Sequence, residues 1–267
     1  MEAKARAFTF LGDEGAVRIP FFQRGYVWKK ENWEDLLFDI IEFEKSHFLG
    51  SLILKQQKIK SGEPKDVLVI DGQQRLTTLS ILVKVLYDLF DKDLQDNCRS
   101  EILKYLYYKK NATDEKYEVK IIHSRIDSLY FNKVMGKVEK NKITQLTIQD
   151  TNDITDTSNR ILQCYKYFLE ALSKETDGVR KKLFNHILNQ DNKIIVLIDL
   201  TDHDNEQVIF DTINSAGVRL SGTDIVKNAL FQRAMELYNR DEVIKLYDDY
   251  WDSIFSKEED LINYWNP

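Results

Sequence analysis

Proline and glycine are scarce in this chain of 267 residues, at three and ten copies. That argues against a Pro/Gly-rich linker or a loop-dominated fold, and the remaining pattern reads as helix-rich with few strands. The two cysteines, Cys98 and Cys164, stand apart, with no CxxC pair and no Cys/His cluster beside them. This excludes a disulfide framework and a zinc site, and it suits a reduced compartment. The four histidines, His47, His123, His186 and His203, are scattered and build no metal motif. No apolar run approaches the roughly 18 residues of a membrane span. The opening MEAKARAFTF has no signal-peptide core either, so a cytoplasmic protein without membrane contact is expected. Excess positive charge is also missing. At a net charge of −6 no global basic field draws nucleic acid, and DNA binding would need a local patch or a basic partner.

What is present is ordinary globular material, 43% hydrophobic and 31% charged, enough for one large domain or two smaller ones. VRIPFFQR, Val17 to Arg24, reads as a short strand leading into the aromatic turn Gly25-Tyr26-Val27-Trp28. Asn32 caps a helix whose apolar side is Trp33, Leu36, Leu37, Ile40, Ile41 and Phe43. His47 to Lys55 and DVLVI, Asp66 to Ile70, read as strands around a polar loop. From Gln73 to Phe90 apolar residues three and four apart predict an amphipathic helix with one core face. Beyond Asp91 the pattern is mostly helical, with helices expected over Arg99–Lys110, Thr157–Lys174 and Val179–Asn189 and a solvated loop over Lys137–Lys142. Lys193 to Leu200 is the clearest late strand. A helix ending at Gly217 and another running from Ser221 or Thr223 to about Tyr238 follow it. The expectation is one α/β core with a helical elaboration, a soft boundary near residue 95 being the alternative.

Three constellations go beyond what folding requires. In Gln23-Arg24-Gly25-Tyr26-Val27-Trp28 the arginine could take a phosphate and Tyr26 or Trp28 could stack a base; equally, the aromatics could pack on the next helix. In VLVIDGQQRLTTL a strand, an Asp-Gly turn and a helix start put a helix N-terminus and its positive dipole at one point, an anion site. Gly72 lets a ligand approach the backbone, Arg75 adds charge, and Thr77 and Thr78 add hydroxyls. Gln73 and Gln74 could orient a water, while Asp71 could bind Mg²⁺ or act as general base. No Walker GxxxxGK[ST] motif is present. The third stretch, FDTINSAGVRLSGTDIVKNALF, reads as a capped helical hairpin, a DNA-binding unit or a lid, with Asn214, Arg219 and Lys227 as the DNA or lid contacts.

Taken in order, IPFFQRGYVW, HFLGSLIL with VLVIDGQQRLTTL, and FDTINSAGVRLSGTDIVKNALF resemble the N-terminal module of GmrSD-type modification-dependent restriction endonucleases. The resemblance spans residues 17 to 231. It implies an α/β (α+β) fold: a small ParB/sulfiredoxin-like mixed sheet over residues 1–95 and a mainly helical extension over 96–267. That extension would return a strand at about 193–200 and a helical hairpin at 204–238. It also implies a nucleoside-triphosphate (NTP) binding and hydrolysis site, with Mg²⁺, that controls cleavage of modified phage DNA. Asp71, Gln73, Gln74 and Arg75 would be catalytic. Gln23, Arg24, Tyr26, Trp28, Gly72, Thr77 and Thr78 would bind the nucleotide, and Asp71 would hold the metal. The His-Asn-His nuclease of such systems has no counterpart here, so no nuclease activity is expected from these residues; the chain would be a truncated piece or a stand-alone subunit. DNA, a nuclease module or subunit and a second copy are the expected partners. The rival readings are a non-hydrolysing sensor of DNA modification and a structural adaptor for a nuclease.

Overall fold

The computed structural model describes residues 2–41, 48–57, 64–111, 113–123, 125–139, 142–201, 204 and 222–253. The chain forms two compact units, Met1–Ile19 with Tyr26–Asp204, and Pro20–Gly25 with Asn205–Pro267. The division falls near residue 204. The helices that follow residue 95, as far as Asp204, lie in the first unit and share its hydrophobic core with the sheet, as a helical extension packed on the core would.

The first unit is a mixed α/β structure. Its strands are β1 (Glu2–Arg6), β2 (Ala16–Arg18), β3 (Ser51–Gln56), β4 (Asp66–Asp71), β5 (Tyr107–Tyr108), β6 (Glu118–Val119), β7 (Ile121–Ile122), β8 (Val138–Glu139), β9 (Lys142–Ile143) and β10 (Ile195–Leu200). Six of them form one sheet in the order β1-β10-β3-β4-β2-β7, while β5-β6 and β8-β9 are small separate pairs. β10 runs parallel to β3, β3 antiparallel to β4, and β2 parallel to both β4 and β7. VLVI of β4 is apolar enough to sit at the middle of such a sheet, covered on both faces. The strand expected over residues 17–24 stops at Arg18, because Pro20 has no N–H for a ladder. The strand expected from His47 begins at Ser51, after Gly50 at φ 116°; His47 itself lies outside the described residues.

The helices of this unit are α1 (Lys30–Ile41), α2 (Gln73–Asp88), α3 (Lys92–Leu106), α4 (Arg125–Met135), α5 (Ile148–Asn152), α6 (Arg160–Ser173) and α7 (Asp177–Ile187). Asn32 does not cap α1 from its start; its Oδ1 accepts from Lys29 N at 3.1 Å, while the helix already begins at Lys30. α3 starts well before Arg99 because the Asp91 carboxylate accepts from Leu94 N at 2.9 Å, and its last predicted residues leave the helix to pair as β5. α4 had no helix assigned to it, and the Lys137–Lys142 loop contains the β8-β9 pair.

The largest departure concerns α2. Spacing predicts one buried face, yet every residue from Leu76 to Tyr87 is buried, with α3, α4, α6 and α7 packed around the helix. Its polar residues are tolerated because they are satisfied locally. Ser80 Oγ donates to Leu76 O at 2.9 Å, and Lys84 Nζ donates to both Asp88 oxygens at 2.5 and 2.6 Å.

In the second unit Phe21, Phe22, Phe231, Val243 and Tyr247 form a small aromatic core. Phe231 comes from α8 (Gly222–Leu237) and Val243 from α9 (Arg240–Leu246), a helix that starts with an Asn239–Glu242 capping box, and Tyr247 follows directly on α9. The helix expected to end at Gly217 lies outside the described residues.

Candidate functional site

The site starts where β4 ends. Asp71 is the last residue of the strand, and Gly72 turns the chain at φ 88°, ψ 9°, a left-handed conformation that favours glycine. A Cβ at Gly72 would also overlap Leu52 and press on Ser51 O at 2.8 Å, so the turn must seat directly on β3. Helix α2 begins at the next residue and aims its positive dipole end at this corner.

Arg75 lies in the first turn of the helix and folds back over the start of β3. Its Nη1 donates to Ser51 O at 3.1 Å, and a Cβ at Gly50 would overlap the guanidinium. Burial lowers the Arg75 pKa, while the Asp71 carboxylate, four residues back, acts in the opposite sense. A guanidinium carries five N–H donors; among the described residues Ser51 O is the one acceptor placed on Arg75.

Gln74 is buried, and its Oε1 accepts from Val27 N at 2.9 Å and Trp28 N at 3.3 Å. One amide of the motif therefore holds the aromatic segment against α2. The same segment is fixed from the far side by Asp127 of α4, whose Oδ2 accepts from Tyr26 N at 2.7 Å. Gln73, the first residue of α2, is half-buried.

Tyr26 and Thr78, expected at a nucleotide, are core residues. The Tyr26 hydroxyl lies 2.5 Å from Thr78 Oγ1 and accepts from Trp33 Nε1 at 2.8 Å, and burial pushes its pKa well up. A ring so enclosed offers no face to a base. Thr78 in turn donates to Gln74 O at 2.8 Å. Thr77 is equally buried; its Oγ1 donates to Gln73 O at 2.7 Å and lies 3.2 Å from His123 Nε2. Because that hydroxyl proton is already placed, His123 must supply the hydrogen from Nε2. Burial lowers the His123 pKa to about 3, so the ring is neutral. Trp28 remains half-buried against the main core.

The structure thus brings Asp71, Gly72, Gln73, Gln74, Arg75 and Trp28 to one corner of the first unit, with Tyr26, Thr77 and Thr78 beneath them. Gln23 and Arg24 belong to the second unit. So does Lys227, whose Nζ donates to Asp224 Oδ1 at 2.8 Å in a largely buried pair, a poor arrangement for a DNA or lid contact. Asn214 and Arg219 lie outside the described residues. Gly50, Asp127 and His123 are the residues that sequence reasoning passed over. Gly50 was visible in HFLGSLIL as a glycine at a strand start; the other two carried no local signal. No group of three or more His, Cys, Asp or Glu that could hold a metal occurs among the described residues, nor does a helix long and apolar enough to cross a membrane.

Residues 8–231 match the family described as GmrSD restriction endonuclease, N-terminal domain. The chain is also similar to the uncharacterized protein MJ0686 of Methanocaldococcus jannaschii, at 22% identity over 241 residues. That alignment takes in 80% of this chain and 39% of the relative, so the chain spans about two fifths of the length of the curated protein it matches.

Proposed function

The chain belongs to the family of GmrSD restriction endonuclease N-terminal domains, and from that membership and the corner at α2 we propose that it is an NTP-binding, NTP-hydrolysing regulatory module of a restriction system acting on modified DNA. The observation that carries this reading is Arg75. It is half-buried, anchored by a single backbone carbonyl among the described residues and set beside a helix N-terminus. A cation held in this way presents its remaining donors to an anion, and phosphate matches the guanidinium fork.

The roles then follow from what each side chain already does. Gly72 and the first turn of α2 approach the phosphates, and Arg75 neutralises them. Gln74 holds Val27 and Trp28 and is a positioning residue, and the orientation of the attacking water is assigned to Gln73 at the start of α2. Asp71 faces the same corner as a carboxylate able to take the water's proton. Mg²⁺ fits this donor set, since it is commonly held by one or two carboxylates together with substrate phosphates, and Asp71 is the residue that would hold it. Bound there, the ion would neutralise phosphate charge. Trp28, half-buried, is the aromatic available for the base.

Phosphate release measured with each NTP tests the reading. Wild type should turn over at least one of them, and Asp71→Ala and Arg75→Ala should each lose most of that turnover. Turnover that survives both substitutions would remove the site. Nucleotide binding without phosphate release would leave a sensor in place of a hydrolase.

A further inference from the structure

We propose that a basic cleft in the first unit, remote in sequence from the α2 corner, docks the phosphate backbone of DNA. The cleft has a volume of about 680 Å³ and is lined by Lys4, Arg6, Lys104 and Lys193, against the single carboxylate of Asp13. Three separate pieces of chain supply the cations. β1, the exposed edge strand, carries Lys4 and Arg6 two residues apart and so on one face, roughly 7 Å from each other at the usual strand rise. Lys104 comes from the last turn of α3, and Lys193 from the turn that leads into β10.

Four cations facing one carboxylate invert the sign of a chain whose net charge is −6. Lys4 is engaged with Glu2 at 2.7 Å, and Lys104 sits 5.2 Å from the centre of the Tyr105 ring. Glu2 attracts Arg6 as well, while Lys193 makes no ion pair among the described residues. A further cation lies buried behind the lining, bonded to the backbone of Lys104. Buried Lys120 donates to Leu11 O and to Lys104 O, both at 2.6 Å, tying the short 3-10 turn at Phe8–Asp13 to the end of α3. Burial lowers its pKa to about 8, so it remains charged at neutral pH. The walls are thus held together before any ligand arrives.

Like charges that outnumber their counter-charges repel one another, and a polyanion relieves that repulsion. A row of cations drawn from an edge strand, a helix end and a turn suits successive phosphates of a backbone. A single small anion is better held by donors converging on one point. Interactions of this kind carry no sequence information; they fix position and register on the duplex. This suits a restriction module whose discrimination lies elsewhere. The cleft shares no residue with the α2 corner, so it stands whether or not that corner hydrolyses an NTP.

The test is fluorescence anisotropy with a labelled 30-base-pair duplex (about three helical turns) and the full chain, over a series of salt concentrations. Wild type should bind with a steep salt dependence. The exposed triple variant Arg6→Ala/Lys104→Ala/Lys193→Ala should bind at least tenfold more weakly, with a log–log salt slope shallower by roughly 3, about 0.9 for each phosphate no longer neutralised. Its NTP turnover should stay at the wild-type level. Wild type that binds no duplex, or a triple variant with unchanged affinity and slope, overturns the proposal. So does displacement of the duplex by equimolar inorganic tripolyphosphate, which would make the cleft a small-anion site.

Discussion

The two ends of helix α2 both put charge into the protein interior, but they treat it in opposite ways. At the C-terminal end Lys84 and Asp88 are almost wholly excluded from solvent, at 0% and 3% side-chain exposure. There Lys84 reaches both carboxylate oxygens and, more distantly, Thr144 O at 3.4 Å, while the Tyr165 hydroxyl donates to Asp88 at 2.9 Å. That network is closed on itself. At the N-terminal end Arg75 has a single backbone acceptor among the described residues, a glycine cleared away beneath it and a carboxylate one turn back. A buried pair that satisfies itself serves the fold, whereas a half-buried cation with donors to place serves a ligand.

The contrast should break hardest at the closed end. Lys84→Ala leaves the Asp88 charge buried and unpaired, and urea unfolding should show a loss of about 3–5 kcal/mol. Replacing both partners with apolar residues, Lys84→Met with Asp88→Leu, should recover most of that loss, because the pair answers to nothing outside itself. At the open end Arg75→Ala should leave the unfolding midpoint nearly unchanged while lowering phosphate release about a hundredfold. Arg75→Lys should not restore it, since a point charge lacks the fork.

His123 separates fold from site in a third way. Its folded pKa of about 3 lies below the ordinary value near 6.5, so in this window the unfolded chain binds a proton that the folded chain refuses. The stability from this group is full above pH 6.5 and is lost as pH falls toward 3, by about 1.4 kcal/mol per pH unit. Urea midpoints taken from pH 7.5 to 5 should show that slope, and His123→Phe should flatten it. The smallest effect sharpens the comparison without touching a charge. Gly50→Ala forces a Cβ into the Arg75 guanidinium at a positive φ, and it should lower NTP turnover about tenfold, or about 1.4 kcal/mol, through Arg75 alone. A double variant Gly50→Ala/Arg75→Ala should be no slower than Arg75→Ala.

Much of the first unit was legible in advance. β4, the Asp-Gly turn and the start of α2 stand where the apolar run, the glycine and the spacing put them, and β10 coincides with KIIVLIDL within two residues. Boundaries went astray where a side chain outside the pattern decided them, as Asp91 did for α3 and Pro20 for β2. The aromatic motif admits two readings, a platform for a base or packing on the next helix, and in the structure the rings around it part company. Tyr26 is sealed in by Thr78 and Trp33, Trp28 stays at the edge, and Phe21 and Phe22 join the aromatic core of the second unit. Which of these rings is enclosed cannot be deduced from their identities when the surroundings are supplied by different parts of the chain.

By itself the sequence determined the family, the mixed α/β class and the position of the polar corner, because each rests on local order: an apolar run, a glycine turn and amides at a helix start. Only the tertiary structure decided which of those polar groups are occupied. Gln74 is held by Val27 and Trp28, Thr77 by Gln73 and His123, and Thr78 by Gln74 and Tyr26; Arg75 is left with one carbonyl among the described residues. Most of these partners lie tens of residues away, and a hydrogen bond over that separation exists only once the sheet and the helices around α2 have packed.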